Sequence, residues 1–342
     1  MEKIYRIEEK NKAIVIFKFF AALLITYSHM RLLFPKYGEL VTGGAIGDGL
    51  FFFCSGFTLF MGRDGGFMNW YKRRVSRIYP SIIMWALFSS VVFGWTWKVT
   101  DLIMTPKYWF IPCIMVYYAI FYLIRCYLMS YMKQVFVGAF LLVMALSFFV
   151  LDRTDSVMYA QVSFMRIYFF MFRLMGAIVA LDLSSNKGKR IFEPLVKVVS
   201  IGNKIDITRS FFLFLGNIVA YYVCMGVYKI DAFYCNFQIV SLIPLLLAIY
   251  YFFMFCSCVK VQKVFERPLL GNIVYVISAM TLEVYLVQYA LFTDRWNGVF
   301  PLNIPLMYLL IFIVAYGLKC LAQLFSQFFS KADFEWKRVF KL

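Results

Sequence analysis

The 342-residue chain contains one histidine, His29, which closes the run Lys18-Phe-Phe-Ala-Ala-Leu-Leu-Ile-Thr-Tyr-Ser-His29 near the far end of the first apolar segment. Imidazole is the only side chain whose ordinary pKa lets it exchange a proton near neutral pH. In a chain this apolar, acid–base chemistry would fall first to His29. Two readings are open: a proton-transferring group, or a helix-end histidine at the level of the lipid headgroups.

Three further groups carry charge where charge is costly. Lys18 precedes His29 by eleven residues, so on a continuous helix the two share a face and stand about 16 Å apart along the axis. The two would line one channel from the cytoplasmic side toward the outer side; Ala22 and Ile25 share that face and Ala21 lies beside it, which would let a neighbouring helix or a thin ligand approach. Lys18 otherwise snorkels to the inner headgroups. In Phe67-Met-Asn-Trp-Tyr-Lys-Arg-Arg-Val-Ser-Arg-Ile-Tyr-Pro80, Arg74 and Arg77 share a face if helical. Their guanidinium forks suit phosphate oxygens, the alternative being a membrane anchor. Glu283 lies within the apolar run Thr281-Leu-Glu-Val-Tyr-Leu-Val-Gln288. An ionisable group at that depth marks a functional site or pairs with an intramembrane base, here Lys18, Arg173 or Lys319. Cys54-Ser55-Gly56 is no nucleophile elbow, since that turn needs GxSxG between strand and helix; small residues there permit close helix packing.

The elements that must position these groups are membrane helices. Hydrophobic residues make up 63% of the chain, aromatics 21% and charged residues 15%, outside the range of soluble domains. Apolar stretches long enough to cross a hydrocarbon core recur throughout. The sequence predicts ten spans, near 13–33, 46–62, 78–95, 107–124, 134–151, 166–182, 210–228, 236–258, 272–292 and 305–328. Gly-rich clusters such as Thr42–Gly49, Gly62–Gly66 and Ser184–Gly188 read as punctuation between spans. The first segment lacks a small-residue cleavage site and reads as a retained span. The expected fold is therefore a single all-α polytopic membrane domain over residues 1–342.

The net charge of +17 would suggest nucleic acid in a soluble protein. Here the basic residues sit in short loops, without interleaved aromatics. With the amino terminus in the cytoplasm, 24 of the 35 Lys and Arg fall on the cytoplasmic side and 8 on the other, with Lys18, Arg173 and Lys319 inside spans. By the positive-inside rule both termini are cytoplasmic. The basic loops also suit anionic lipid headgroups or an anionic ligand on that side. The eight cysteines form no CxxC or Cys/His ligand pattern, so neither a metal site nor a disulfide framework is expected.

Taken in order, five motifs make the chain resemble the acyltransferase 3 family of integral-membrane acyltransferases. They are a basic residue eleven positions before a histidine (Lys18, His29), Phe51-Phe-Phe-Cys-Ser-Gly-Phe57, Arg74-Val-Ser-Arg77-Ile-Tyr-Pro80, Trp109-Phe-Ile-Pro112, and Ser278-Ala-Met-Thr-Leu-Glu-Val-Tyr-Leu-Val287. The chain departs from the family pattern at three places. Lys18 replaces the usual Arg, Gly49 stands where an acidic residue is common with Asp48 just before it, and Gln288 takes the position of a second His.

The resemblance implies transfer of an acyl group, commonly acetyl, from cytosolic acyl-CoA to a sugar hydroxyl of a surface polysaccharide, in a bacterial inner membrane. It implies that His29 is the general base, an acyl carrier or a pure hydrogen-bond donor, with Glu283 in the catalytic set to orient or balance a charge nearby. Lys18, Arg74, Arg77, Tyr79 and Trp109 would hold the acyl-CoA, while Asp48, Ser55 and Gln288 would meet the carbohydrate acceptor. No permanently bound cofactor or metal and no nucleic acid enters this scheme. The competing reading is a transporter or flippase for a lipid-linked glycan or proton-coupled solute, which broken helices in matching halves would favour.

Overall fold

The computed structural model describes residues 11–62, 65–104, 108–151, 162–185, 190–202, 204–227, 230–330 and 333–341. Of the charges counted above, Lys3, Arg6, Lys10, Arg63, Lys107, Arg153, Lys187, Lys189, Lys229 and Lys331 lie outside them, as do parts of the Gly62–Gly66 and Ser184–Gly188 clusters.

The helices are α1 Lys12–Ser28, α2 Gly44–Phe60, α3 Phe67–Phe93, α4 Val99–Met104, α5 Phe110–Tyr127, α6 Met132–Leu146, α7 Val162–Tyr168, α8 Phe170–Ser184, α9 Glu193–Val199, α10 Ile207–Gly226, α11 Leu242–Cys256, α12 Val259–Phe265, α13 Pro268–Ala279, α14 Thr281–Leu291, α15 Asn303–Phe328 and α16 Trp336–Val339. The only strands among the described residues, β1 Ser200–Ile201 and β2 Lys204–Ile205, form one short antiparallel pair. The protein is an all-α polytopic membrane protein. Among the described residues eight helices are long and apolar enough to cross a membrane, nine if the bent pair α13–α14 is one span.

Several of the ten expected spans take a different form; the eighth, for one, opens as a 3-10 stretch, Ala232–Ser241, before α11 begins. The first does not run unbroken to residue 33. α1 ends at Ser28 after 17 residues, a rise of about 26 Å, and His29 leads into a 3-10 turn, Met30–Leu33. That turn stops because Phe34 precedes Pro35 and is extended, with ψ at 104°. The third span starts at Phe67, so Arg74, Arg77 and Tyr79 are helical, and α3 passes through Pro80. The ninth is bent by 78° between α13 and α14, at Met280.

The chain divides into two compact units. The first comprises residues 1–18, 48–63 and 123–274. Its centre is α11, an apolar helix buried along nearly its whole length, as expected of a bundle core. Phe17 stacks on Phe252 with ring centroids 5.1 Å apart and meets Phe53 at 5.2 Å. α2 and α8 cross in backbone contact: a Cβ on Gly56 would lie 1.9 Å from the Arg173 carbonyl oxygen, and one on Gly176 2.1 Å from that of Phe53. Gly56 therefore serves helix packing, as its small size suggests. Arg125 donates to the Leu59 and Gly62 carbonyls at 3.1 and 2.8 Å, closing the C-terminal end of α2. Lys12 pairs with Glu266.

The second unit comprises residues 19–47, 64–122 and 275–342. α15 turns Met307, Ile311, Ala315, Leu318 and Ala322 inward, a stripe at three- and four-residue spacing that packs on α3 and α14. Tyr308 donates to the Leu23 carbonyl at 2.7 Å, tying α15 to α1. Part of the Thr42–Gly49 cluster is helix rather than loop. A Cβ on Gly47 would lie 2.9 Å from the Ile25 amide nitrogen, so the start of α2 rests on the end of α1.

Candidate active site

The candidate site lies in the second unit and grows from α3 and α14. At the bend, Met280 leaves helical geometry (φ −116°, ψ 25°). Ser278 and Thr281 turn their hydroxyls back onto the Tyr275 and Ser278 carbonyls at 2.8 and 3.0 Å. Side chains thus take up carbonyls that the interrupted helix leaves open, which a membrane interior demands.

Glu283 sits in the first turn after the bend and is 1% exposed. Its Oε1 accepts from Ser81 Oγ at 2.6 Å and from Lys319 Nζ at 3.1 Å. One carboxylate oxygen therefore joins α3, α14 and α15. Oε2 is buried and has no hydrogen-bond partner among the described residues. Of the three bases considered as partners, Lys319 is the one that meets it. Arg173 is fully buried in α8 of the first unit.

One turn further along α14, the Leu286 carbonyl accepts from Tyr108 Oη at 2.7 Å, and that oxygen accepts from Trp85 Nε1 at 2.9 Å. The Tyr108 and Phe110 rings pack on Tyr285, each with centroids 5.7 Å away. Tyr289 then reaches His29: its Oη lies 2.7 Å from Nε2, and the ring centroids are 4.7 Å apart. The turn after His29 is clamped from the opposite side of the sequence. Asn297 donates to the Leu32 carbonyl at 3.1 Å and Asn303 to that of Leu33 at 2.8 Å. The imidazole is thus held between the end of α1 and the end of α14.

The arginines differ. Arg74 is buried and its guanidinium lies 4.9 Å from the Trp70 ring centroid. Arg77 is exposed and Tyr79 is half-buried. Counting along α3 and α14, the order is Arg74 and Arg77, Ser81 with Glu283, Trp85 with Leu286 through Tyr108, then Tyr289 with His29. At 1.5 Å per residue, seven residues of α3 and six of α14 separate the ends of this series by about 20 Å.

Other sequence-derived residues stand apart from this group. Glu283 does not join His29: it and Tyr289 are about 120° apart around α14 and about 9 Å apart along it. Trp109 is half-buried, its ring 6.3 Å from that of Phe110. Gln288 is fully buried, and neither atom of its amide has a hydrogen-bond partner among the described residues. Lys18, Asp48 and Ser55 belong to the first unit. Lys18 is half-buried. Asp48 and Ser55 are half-buried on α2. An acidic side chain at Gly49 would have no room, since a Cβ there would come within 2.4 Å of Ile249. The small-residue face of α1 is spent on packing: Ala21, Ala22 and Ile25 are buried, so this stretch does not line an open channel.

Sequence reasoning missed Tyr289, Tyr108, Trp85, Ser81, Asn297 and Asn303. Their partners lie far off in the chain, as with Tyr289 and His29. Tyr289 alone had a signal, four residues after Tyr285 on one helical face.

Apolar spanning helices, with the Glu283–Lys319 ion pair and the Tyr289-bound imidazole among them, define an integral membrane protein. A family model described as an acyltransferase domain, Acyl_transf_3, matches residues 11–322, and the chain belongs to that family. It is a membrane acyltransferase. No curated protein and no solved structure matches the chain.

Proposed function

We propose that the protein transfers an acetyl group from cytosolic acyl-CoA to a hydroxyl of a surface-polysaccharide sugar, in the inner membrane of a bacterium, with His29 as general base. The acceptor hydroxyl gives its proton to the imidazole as its oxygen attacks the thioester carbonyl. The C–S bond then breaks, and the departing thiolate takes the proton from the imidazolium. Arg77, which is exposed, suits the CoA phosphates, and Glu283 ties the helix that carries Tyr289 to α3 and α15.

The observation that carries this reading is the placement of the only imidazole. Its partner Tyr289 stands on the same helix that Glu283 ties to α3, beyond the two arginines. An interval of about 20 Å between phosphate-binding groups and a base suits an acyl group borne on a long flexible arm.

The test is thiol release from acetyl-CoA by purified protein, in detergent with glycan acceptors. His29→Ala is expected to lower turnover by about 10²–10⁴-fold while insertion and thermal stability stay unchanged. Retained turnover removes His29 from the chemistry. Solute flux with no thiol release for any acceptor favours the transporter reading instead.

A further inference from the structure

We propose that Tyr289 is the positioning residue for His29: its hydroxyl oxygen accepts a hydrogen bond from Nε2–H, leaving Nδ1 as the nitrogen that takes the acceptor's proton. This rests on the acyl-transfer reading above. The geometry supplies the first half of the argument. Tyr289 Oη lies 2.7 Å from Nε2, so one ring nitrogen is already engaged.

A neutral imidazole has one N–H and one basic lone pair, and the partner of one nitrogen decides which is which. If Tyr289 donated to Nε2, the proton would sit on Nδ1 and no lone pair would remain for a substrate. If Nε2–H donates to Tyr289, Nδ1 is the basic nitrogen left for the acceptor hydroxyl. Nε2–H is also the tautomer that free histidine prefers. The same hydrogen bond favours the imidazolium formed during the reaction, because a charged donor binds a neutral oxygen more strongly than a neutral one does.

The surrounding contacts hold the phenol in place independently of its oxygen. The Tyr289 ring lies 6.2 Å from Tyr108, 6.3 Å from Tyr285 and 6.3 Å from Phe292, centroid to centroid. Tyr289→Phe therefore removes one acceptor and keeps the ring packing.

Because the chain has a single histidine, nitrogen NMR of full-length protein labelled with nitrogen-15 at histidine reads its tautomer without assignment. In lipid nanodiscs the wild type is expected to show the Nε2–H form, and Tyr289→Phe a mixture of both. In the thiol-release assay, Tyr289→Phe is expected to lower kcat roughly tenfold, the scale of one lost hydrogen bond, with KM for acetyl-CoA within about twofold of wild type. An Nδ1–H form in the wild type overturns the proposal. So does an unchanged spectrum or an unchanged kcat in Tyr289→Phe. Absence of thiol release from the wild type counts against acyl transfer itself, and the NMR spectrum then decides the tautomer separately.

Discussion

At the scale of single residues, similar side chains do different work because their surroundings differ. Arg74 and Arg77 are three apart on α3, yet one is buried over Trp70 and the other exposed. A desolvated cation over an indole is worth about 2 kcal/mol. Arg74→Ala is therefore expected to lower the Tm. Arg77→Ala is expected to leave the Tm unchanged and to raise KM for acyl-CoA about tenfold or more, the scale of hydrogen bonds to a charged group. Arg77→Lys keeps the charge and loses the fork, so its KM should fall between the two. Equal KM values for all three proteins would make Arg77 an anchor only. The spacing of the two arginines was legible in the sequence. Their different burial was not, since it depends on which helices pack against each face of α3, although Trp70, four residues before Arg74 on the same face, was a readable neighbour.

Among the elements, the sequence identified membrane helices well and their interruptions poorly. Gly-rich clusters were read as boundaries, but residues 44–49 of the first of them are helical; Pro80 lies inside α3, where it removes one amide donor without ending the helix. Gly47 and Gly56 lie within α2 and bring backbones together. The sharpest bend falls at Ser278-Ala-Met-Thr281, which contains neither residue. There Ser and Thr hydroxyls replace helical hydrogen bonds, a local competition that hydrophobic periodicity does not register. Glu283 was legible as a buried charge with Lys18, Arg173 or Lys319 as its partner; the fold chooses Lys319, 36 residues away on another helix. Because Glu283 joins α3, α14 and α15, removing the cation leaves a buried carboxylate uncompensated. Lys319→Met is expected to destabilise the protein by about 3 kcal/mol. The double change Glu283→Gln with Lys319→Met, which removes both charges, should recover most of that loss. Thermal unfolding in detergent measures both. A single variant as stable as wild type would mean the pair holds nothing together.

For the whole molecule, the distribution of charge decides what chemistry the site can serve. The uneven sharing of Lys and Arg between the two sets of loops was readable without any structure, because it depends on counts and not on contacts. By that rule the start of α3, with Arg74 and Arg77, is expected toward the cytoplasm and the loop after α14 on the other side. Under the proposed function, His29 and Tyr289 would then stand toward the outer face that a surface glycan reaches, and the arginines toward the cytosol that supplies acyl-CoA. Transfer across the bilayer needs that polarity; with the orientation reversed, the imidazole would face the cytosol and no outer acceptor would reach it. Cysteines introduced at Lys197, on α9, and at Arg295, after α14, report the two sides, since both positions are exposed. A membrane-impermeant thiol reagent applied to intact cells should label Arg295→Cys and spare Lys197→Cys until the membrane is opened, with the parental protein as baseline for its own cysteines. Labelling of Lys197→Cys alone would invert the protein, put His29 on the donor side and end the case for a surface acceptor.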